Sequence, residues 1–174
     1  MAAPLRVVPI GPLPAGAAEG LATRLGEHGF AVSVEATPSP RIASLVAPAQ
    51  ERLDAHFALA ALRREPSSRV LGLTAAELKD DSRPTMYGLA EMNGRVAVFS
   101  TRPFYQGGLS PAEALDRLTA AVLHELAHTL GMVHCRHRGC LMNATHEPAV
   151  LRRLQPRFCD ACAGQWSPRV ARSR

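Results

Sequence analysis

Apolar and polar positions along this chain follow two periods, and each change of period marks an element. Leu5 to Ile10 is a short apolar run interrupted by Pro9 and reads as a first strand. From Ala15 to His28 the residues Ala18, Leu21, Ala22 and Leu25 recur at helical spacing, and Gly29 follows as a stop signal. Phe30 to Val34 alternates with period two, a second strand. Thr37-Pro38-Ser39-Pro40 then breaks the pattern and begins an extended loop. Gln50 to Arg64 reads as a second helix, with Leu53, Phe57, Ala60 and Ala61 on one face.

Arg69 to Thr74 is a third strand, and its continuous apolar run suits a buried parallel position. Thr85 to Met92 and Gly94 to Ser100 read as two further strands joined through Asn93-Gly94, the strongest two-residue hairpin signal. This order predicts an α/β fold: a twisted, mostly parallel five-stranded sheet with one antiparallel edge strand. Ser110-Pro111-Ala112-Glu113 opens the next helix with a cap, a proline at the first helical position and a capping box. That helix should run to about Leu130, with Leu115, Leu118, Val122, Leu126 and Leu130 facing the core.

The length of 174 residues suits one domain, divided into a sheet-and-helix part over 1–131 and a smaller C-terminal part over 132–174. A 47% apolar, 20% charged composition is that of a folded globular chain. No run approaches the roughly 18 apolar residues that a membrane span needs. The N-terminal Met1 to Ile10 lacks the apolar core and cleavage site of a signal peptide, so a cytoplasmic location is expected. The charge of +5 invites a nucleic-acid partner. Yet Lys79 is the only lysine, the arginines are scattered, and a dense basic run appears only at Arg169 to Arg174, so nucleic-acid binding is disfavoured.

The chemistry concentrates in His124-Glu125-Leu126-Ala127-His128-Thr129-Leu130-Gly131-Met132-Val133-His134. On a helix, His124 and His128 project from one face, one turn apart, and supply two ligands for a tetrahedral zinc. Glu125 stands about 100° further round, where a general base for an activated water belongs. Gly131 tolerates the left-handed conformation that ends a helix, so His134 can return as third ligand and leave one position open. Met142 follows, and a lone methionine is usually a core packing residue. Cys135 and Cys140, with Cys159-Asp160-Ala161-Cys162, give two cysteine pairs with the spacing of a closed structural zinc site of four thiolates, favoured over free buried thiols and over disulfides, which a reducing compartment disfavours. His137 lies inside the Cys135–Cys140 loop and could replace a cysteine ligand, although it reads better as a solvated loop residue. His28, His56 and His146 have no partner visible in the sequence.

The block from His124 to Cys162 resembles the archaemetzincins, a family of metzincin zinc metalloproteases. Its signature is the long zinc motif, a cysteine after the third histidine (His134-Cys135), then Cys140-Leu141-Met142 and a distant Cys159-Asp160-Ala161-Cys162. Upstream, Val70 to Thr74, Tyr87-Gly88-Leu89-Ala90, Val96 to Ser100 and Arg102-Pro103-Phe104-Tyr105 resemble the family's middle region. The resemblance implies a metzincin-like domain with a catalytic zinc on His124, His128 and His134, Glu125 as base, Met142 as the Met-turn residue, and a second, structural zinc on the four cysteines. It also implies that the edge strand over Thr85 to Met92, with Tyr87, Gly88, Leu89 and Ala90, binds an extended peptide by strand addition.

The expected function is therefore zinc-dependent hydrolysis of a peptide or protein substrate, with two zinc ions and a monomer as the favoured state. The alternative is a catalytically latent zinc-dependent peptide-binding module. Such a module often loses its base, and Glu125 is present.

Overall fold

Alternation along the strands divides the interior into two cores, one on each face of a single sheet. The computed structural model describes residues 2–45, 51–82, 86–106, 108–143 and 155–173. The strands of the main sheet are β1 (Ala3–Ile10), β2 (Phe30–Val34), β4 (Val70–Thr74), β6 (Gly88–Ala90) and β7 (Val96–Ser100), in the order β2-β1-β4-β7-β6. All pairings are parallel except β6 with β7, so the antiparallel strand is the edge, as expected. Leu5, Val7, Leu71, Leu73, Ala97 and Phe99 point to one core; Val8, Ile10, Val70, Val96 and Val98 point to the other. Successive residues serve opposite faces because the side-chain period of a strand is two.

The first core is closed by α1 (Ala17–Glu27) and α5 (Pro111–Thr129), together with the C-terminal helix α6 (Asp160–Arg172). The second is closed by α3 (Ala55–Leu62) and the short α2 (Pro40–Ala43). A further turn of helix, α4 (Arg102–Tyr105), leads from β7 toward α5 and buries Phe104 against Phe99, ring centroids 6.1 Å apart. The predicted capping box of α5 is present: Ser110 Oγ accepts from the Glu113 amide and Glu113 accepts from the Ser110 amide. From Leu118 onward α5 is buried almost all round, so the helix that carries the histidines is also the central element of the larger core.

Three expectations are corrected. The helix expected over Gln50 to Arg64 is shorter. Arg52–Asp54 is a strand (β3) paired in parallel with β5 (Glu77–Lys79) in a separate two-stranded sheet, and the Asp54 carboxylate caps α3 by accepting from the Phe57 amide. The buried face is Ala55, Ala58, Leu59, Ala61 and Leu62, whereas Phe57 is 73% exposed and Ala60 is also exposed. The Thr37 to Pro40 loop is not extended throughout: Ser39 caps a turn of helix with Pro40 at its first position. The edge strand is confined to Gly88–Ala90, preceded by a single antiparallel bridge between Met86 and Leu78. Residues 50 and 85, where two of the expected elements begin, lie outside the described residues.

Candidate metal centre

The turn after α5 decides whether the third histidine can reach the other two. Leu130 caps the helix and Gly131 takes φ 78°, the left-handed conformation anticipated for it. The Gly131 amide donates to His128 O and the Met132 amide to Ala127 O, both at 2.9 Å, the paired bonds of a Schellman motif. The chain thereby reverses and returns His134 to the helix face that carries His124 and His128.

The Nε2 atoms of His124 and His128 are 3.1 Å apart, and those of His128 and His134 are 3.2 Å apart. The first of these contacts is not a hydrogen bond between neutral rings. His124 Nδ1 lies 2.8 Å from Leu141 O and His128 Nδ1 lies 2.8 Å from Met132 O, and a carbonyl only accepts. Each Nδ1 therefore carries the proton, and each Nε2 directs a lone pair at its neighbour. Converging lone pairs repel unless a cation lies between them. Tetrahedral zinc at about 2.0–2.1 Å from each nitrogen requires donors roughly 3.3 Å apart, close to what is found. Burial also lowers the His128 pKa, keeping the ring neutral and able to ligate. His124 and His128 are buried and His134 is exposed, so the group opens to solvent on one side.

Glu125 follows His124 on α5 and is partly buried beneath the edge strand. Its side chain lies against β6: a Cβ on Gly88 would stand 2.9 Å from Glu125 Cγ. Loss of hydration raises its carboxyl to about 7, making it a stronger base than an exposed glutamate. Of the residues expected to line the peptide site, Gly88, Leu89 and Ala90 form β6, while Tyr87 precedes it and accepts from the Ser100 amide. The hairpin end is fastened to the metal helix by the Asn93 amide, which donates to His128 O at 2.9 Å.

The four cysteines also converge. Cys135, Cys140, Cys159 and Cys162 place their sulfurs within 4.8 Å of one another and are not joined as disulfides. The Cys135 and Cys159 sulfurs are 3.8 Å apart, the edge of a tetrahedron with zinc–sulfur bonds of about 2.3 Å. Amides of His137 and Cys159 approach the sulfurs of Cys135 and Cys140, respectively, at 3.4 and 3.5 Å. Cys159 caps the N-terminus of α6, and the Cys162 backbone amide is the main cause that lowers its thiol to about 7. Burial raises the thiols of Cys140 and Cys162, a cost that a cation offsets by taking them as thiolates. His137 is exposed and outside the cluster, and residue 146 lies outside the described residues.

Met142 is fully buried in the larger core, and the neighbouring Leu141 carbonyl is the one that orients His124. The Cys135 amide donates to Met142 O at 2.7 Å, which ties the sulfur cluster to this turn. Sequence reasoning did not find the backbone acceptors Leu141 O and Met132 O, because no residue type marks a carbonyl that orients a histidine. It also missed α6, whose Trp166 packs edge-on against Phe30, 5.8 Å between centroids. The 3.6-residue recurrence of Cys162, Trp166 and Val170 was the available signal.

A model of Peptidase family M54 matches residues 66–167. The archaemetzincin of Methanopyrus kandleri is 35% identical over 94 residues, which cover 54% of this chain and 53% of that protein. This match therefore spans about half of that relative's length. The archaemetzincin of Haloquadratum walsbyi is 32% identical over 165 residues, covering 90% of this chain and 95% of that protein. Among solved structures, that of the Methanopyrus kandleri archaemetzincin superposes with a TM-score of 0.79 at 26% identity, covering 98% of this chain and 96% of that one. The Archaeoglobus fulgidus archaemetzincin, complexed with malonate, shares the fold with a TM-score of 0.75 at 22% identity, over 93% of this chain and 99% of that one.

Proposed function

Because this chain belongs to Peptidase family M54, the archaemetzincins, we propose that it is a zinc-dependent metallopeptidase of the metzincin type that hydrolyses peptide bonds. The observation that carries the reading is the convergence of three histidine nitrogens, two of them held by backbone carbonyls in the tautomer that ligates. His124, His128 and His134 hold one zinc, and Cys135, Cys140, Cys159 and Cys162 hold a second, structural one.

When bound by three protein ligands, zinc supplies Lewis-acid polarisation of a carbonyl and lowers the pKa of water. The protein's residues do the rest. Glu125 accepts a proton from the attacking water and delivers it to the leaving amine nitrogen, a task suited to a desolvated carboxylate. Strand β6, at the sheet edge beside Glu125, receives the substrate backbone in extended form along Gly88, Leu89 and Ala90, with Tyr87 just before it. Leu141 and Met132 keep the ligand rings oriented through turnover. Met142 packs under the site, and the cysteine cluster fixes the loop that carries His134 into place.

Residues 1–174 act as one metzincin-like domain in this reading, since α6 from the C-terminal part completes the core of the N-terminal part. Four thiols gathered at one point, rather than paired, suit a reducing compartment, and we place the protein in the cytoplasm. Among the described residues no helix is long and apolar enough to cross a membrane. Chelation followed by metal titration tests the proposal on a diverse peptide library read by mass spectrometry. Cleavage should vanish on chelation and return with zinc. A fully zinc-loaded protein that binds peptides but yields no products would be the latent peptide-binding module instead.

A further inference from the structure

Where α5 ends, a polar pocket of about 330 Å³ is lined by Arg69, Asn93, Thr129, Leu130, Arg169 and Arg172. Three guanidinium groups thus share one cavity. None of them forms an ion pair with a carboxylate among the described residues, whereas the nearby Arg63 pairs with Glu91. Arg69 is 6% exposed, and its Nε is buried without a hydrogen-bond partner among the described residues. Its Nη1 donates to Gly94 O at 3.0 Å and to Thr129 Oγ1, so only neutral acceptors hold a buried cation. Burying a charge without a counter-charge is costly, and buried guanidinium groups are ordinarily compensated by an anion.

Ordinary helix capping explains part of this arrangement. Arg169 Nη1 donates to Leu130 O at 2.7 Å, a favourable place for a cation at the C-terminus of α5. Capping does not account for Arg69, which rises from the start of β4, or for Arg172, one turn beyond Arg169, which makes no hydrogen bond or ion pair among the described residues. We propose that Arg69, Arg169 and Arg172 form a binding site for a small phosphate-class dianion, distinct from the histidine site. Guanidinium forks match the oxygens of such an anion, and Asn93 lines the same pocket with an amide side chain. Occupancy would also reinforce the turn that returns His134, because Asn93 Oδ1 and Arg169 Nη1 each lie 3.0 Å from the position a Cβ on Gly131 would take.

The test is binding of inorganic phosphate to the zinc-loaded protein, measured by calorimetry and thermal shift against chloride at equal ionic strength. One saturable site is expected, with melting temperature rising as it fills. Arg172→Gln, at an exposed position, should leave the fold and peptide cleavage intact and weaken phosphate binding about tenfold; Arg169→Gln/Arg172→Gln should abolish it. No saturable binding beyond the chloride control would overturn the site. So would binding that survives in the double variant, because the anion would then sit elsewhere, as on the histidine-bound metal.

Discussion

Gly88 and Glu125 are fitted to one another: a single methyl group on Gly88 would stand 2.9 Å from Glu125 Cγ and 2.4 Å from the Phe99 ring. The edge strand thus approaches the metal helix as closely as a backbone without a side chain allows. That approach places the general base of the proposed reaction directly beside the strand proposed to hold the substrate. Gly88→Ala should cost about 1–3 kcal/mol of stability through overpacking. It should also lower peptide cleavage by at least roughly tenfold, because small displacements of a catalytic group are expensive, while zinc content stays unchanged. Chemical denaturation, metal analysis and cleavage rates on one preparation check all three.

Gly131 supports the site differently, through its backbone. At φ 78° a side chain is strained, and a Cβ would also press on Arg169 Nη1 and Asn93 Oδ1. Gly131→Ala should lose about 1–2 kcal/mol and weaken zinc at the histidines, since the turn that returns His134 is distorted. Competition with a chromophoric chelator would read the loss. Unchanged affinity would mean that His134 reaches the metal without this turn.

Cys159→Ser removes one of four sulfurs and leaves a half-buried cluster incomplete. If the cluster holds the proposed second zinc, that ion should be lost and stability should fall by several kcal/mol, as at structural zinc sites. The Cys135 amide is bonded to Met142 O, so the change should reach the histidine zinc as a weaker affinity. Metal analysis after dialysis, with melting curves, measures each effect.

In metal-free protein the Glu125 carboxyl, raised to about 7 by desolvation, sets a pH dependence of stability. The folded state holds this proton more tightly than the unfolded chain, where the pKa is about 4.3. Its contribution is present in full below about pH 4.3 and is lost as pH rises through about 7. Glu125→Gln removes that term but keeps the shape. Relative to the parent, the variant should gain on the order of 3 kcal/mol between about pH 4.5 and about pH 8. Burial of His128, which lowers its pKa, acts in the opposite sense and is common to both proteins. Denaturant titrations at the two pH values give the comparison.

Elements with a local signature were legible before the structure. The strand Phe30–Val34 appears with the bounds its alternation predicts, and Ser110, Pro111 and Glu113 begin α5 with the predicted capping box. The Asn93-Gly94 turn sits between β6 and β7, with Asn93 at φ 52°. What escaped was set by distant partners. Arg52 to Asp54 continues a helix-like pattern, yet pairing with Glu77–Lys79 draws it into a strand. Phe57 falls on the exposed side of α3, whose buried face is Ala55, Ala58, Leu59, Ala61 and Leu62. The C-terminal helix carries Gly164 and Pro168, poor helix formers whose cost is met by burial of Trp166 and Val170. At the metal centre the ligand residue types were legible from spacing, whereas the carbonyls that orient them depend on where the chain returns.

Hydrolysis through Glu125 is tested most directly by kcat/KM for one cleaved peptide, in the parent and in Glu125→Gln with equal zinc content. Removal of the general base should lower kcat/KM by about 10²–10⁴-fold with zinc retained at the histidines. Equal rates in the two proteins would contradict the assignment of Glu125 as the base and require the proton to travel by another group.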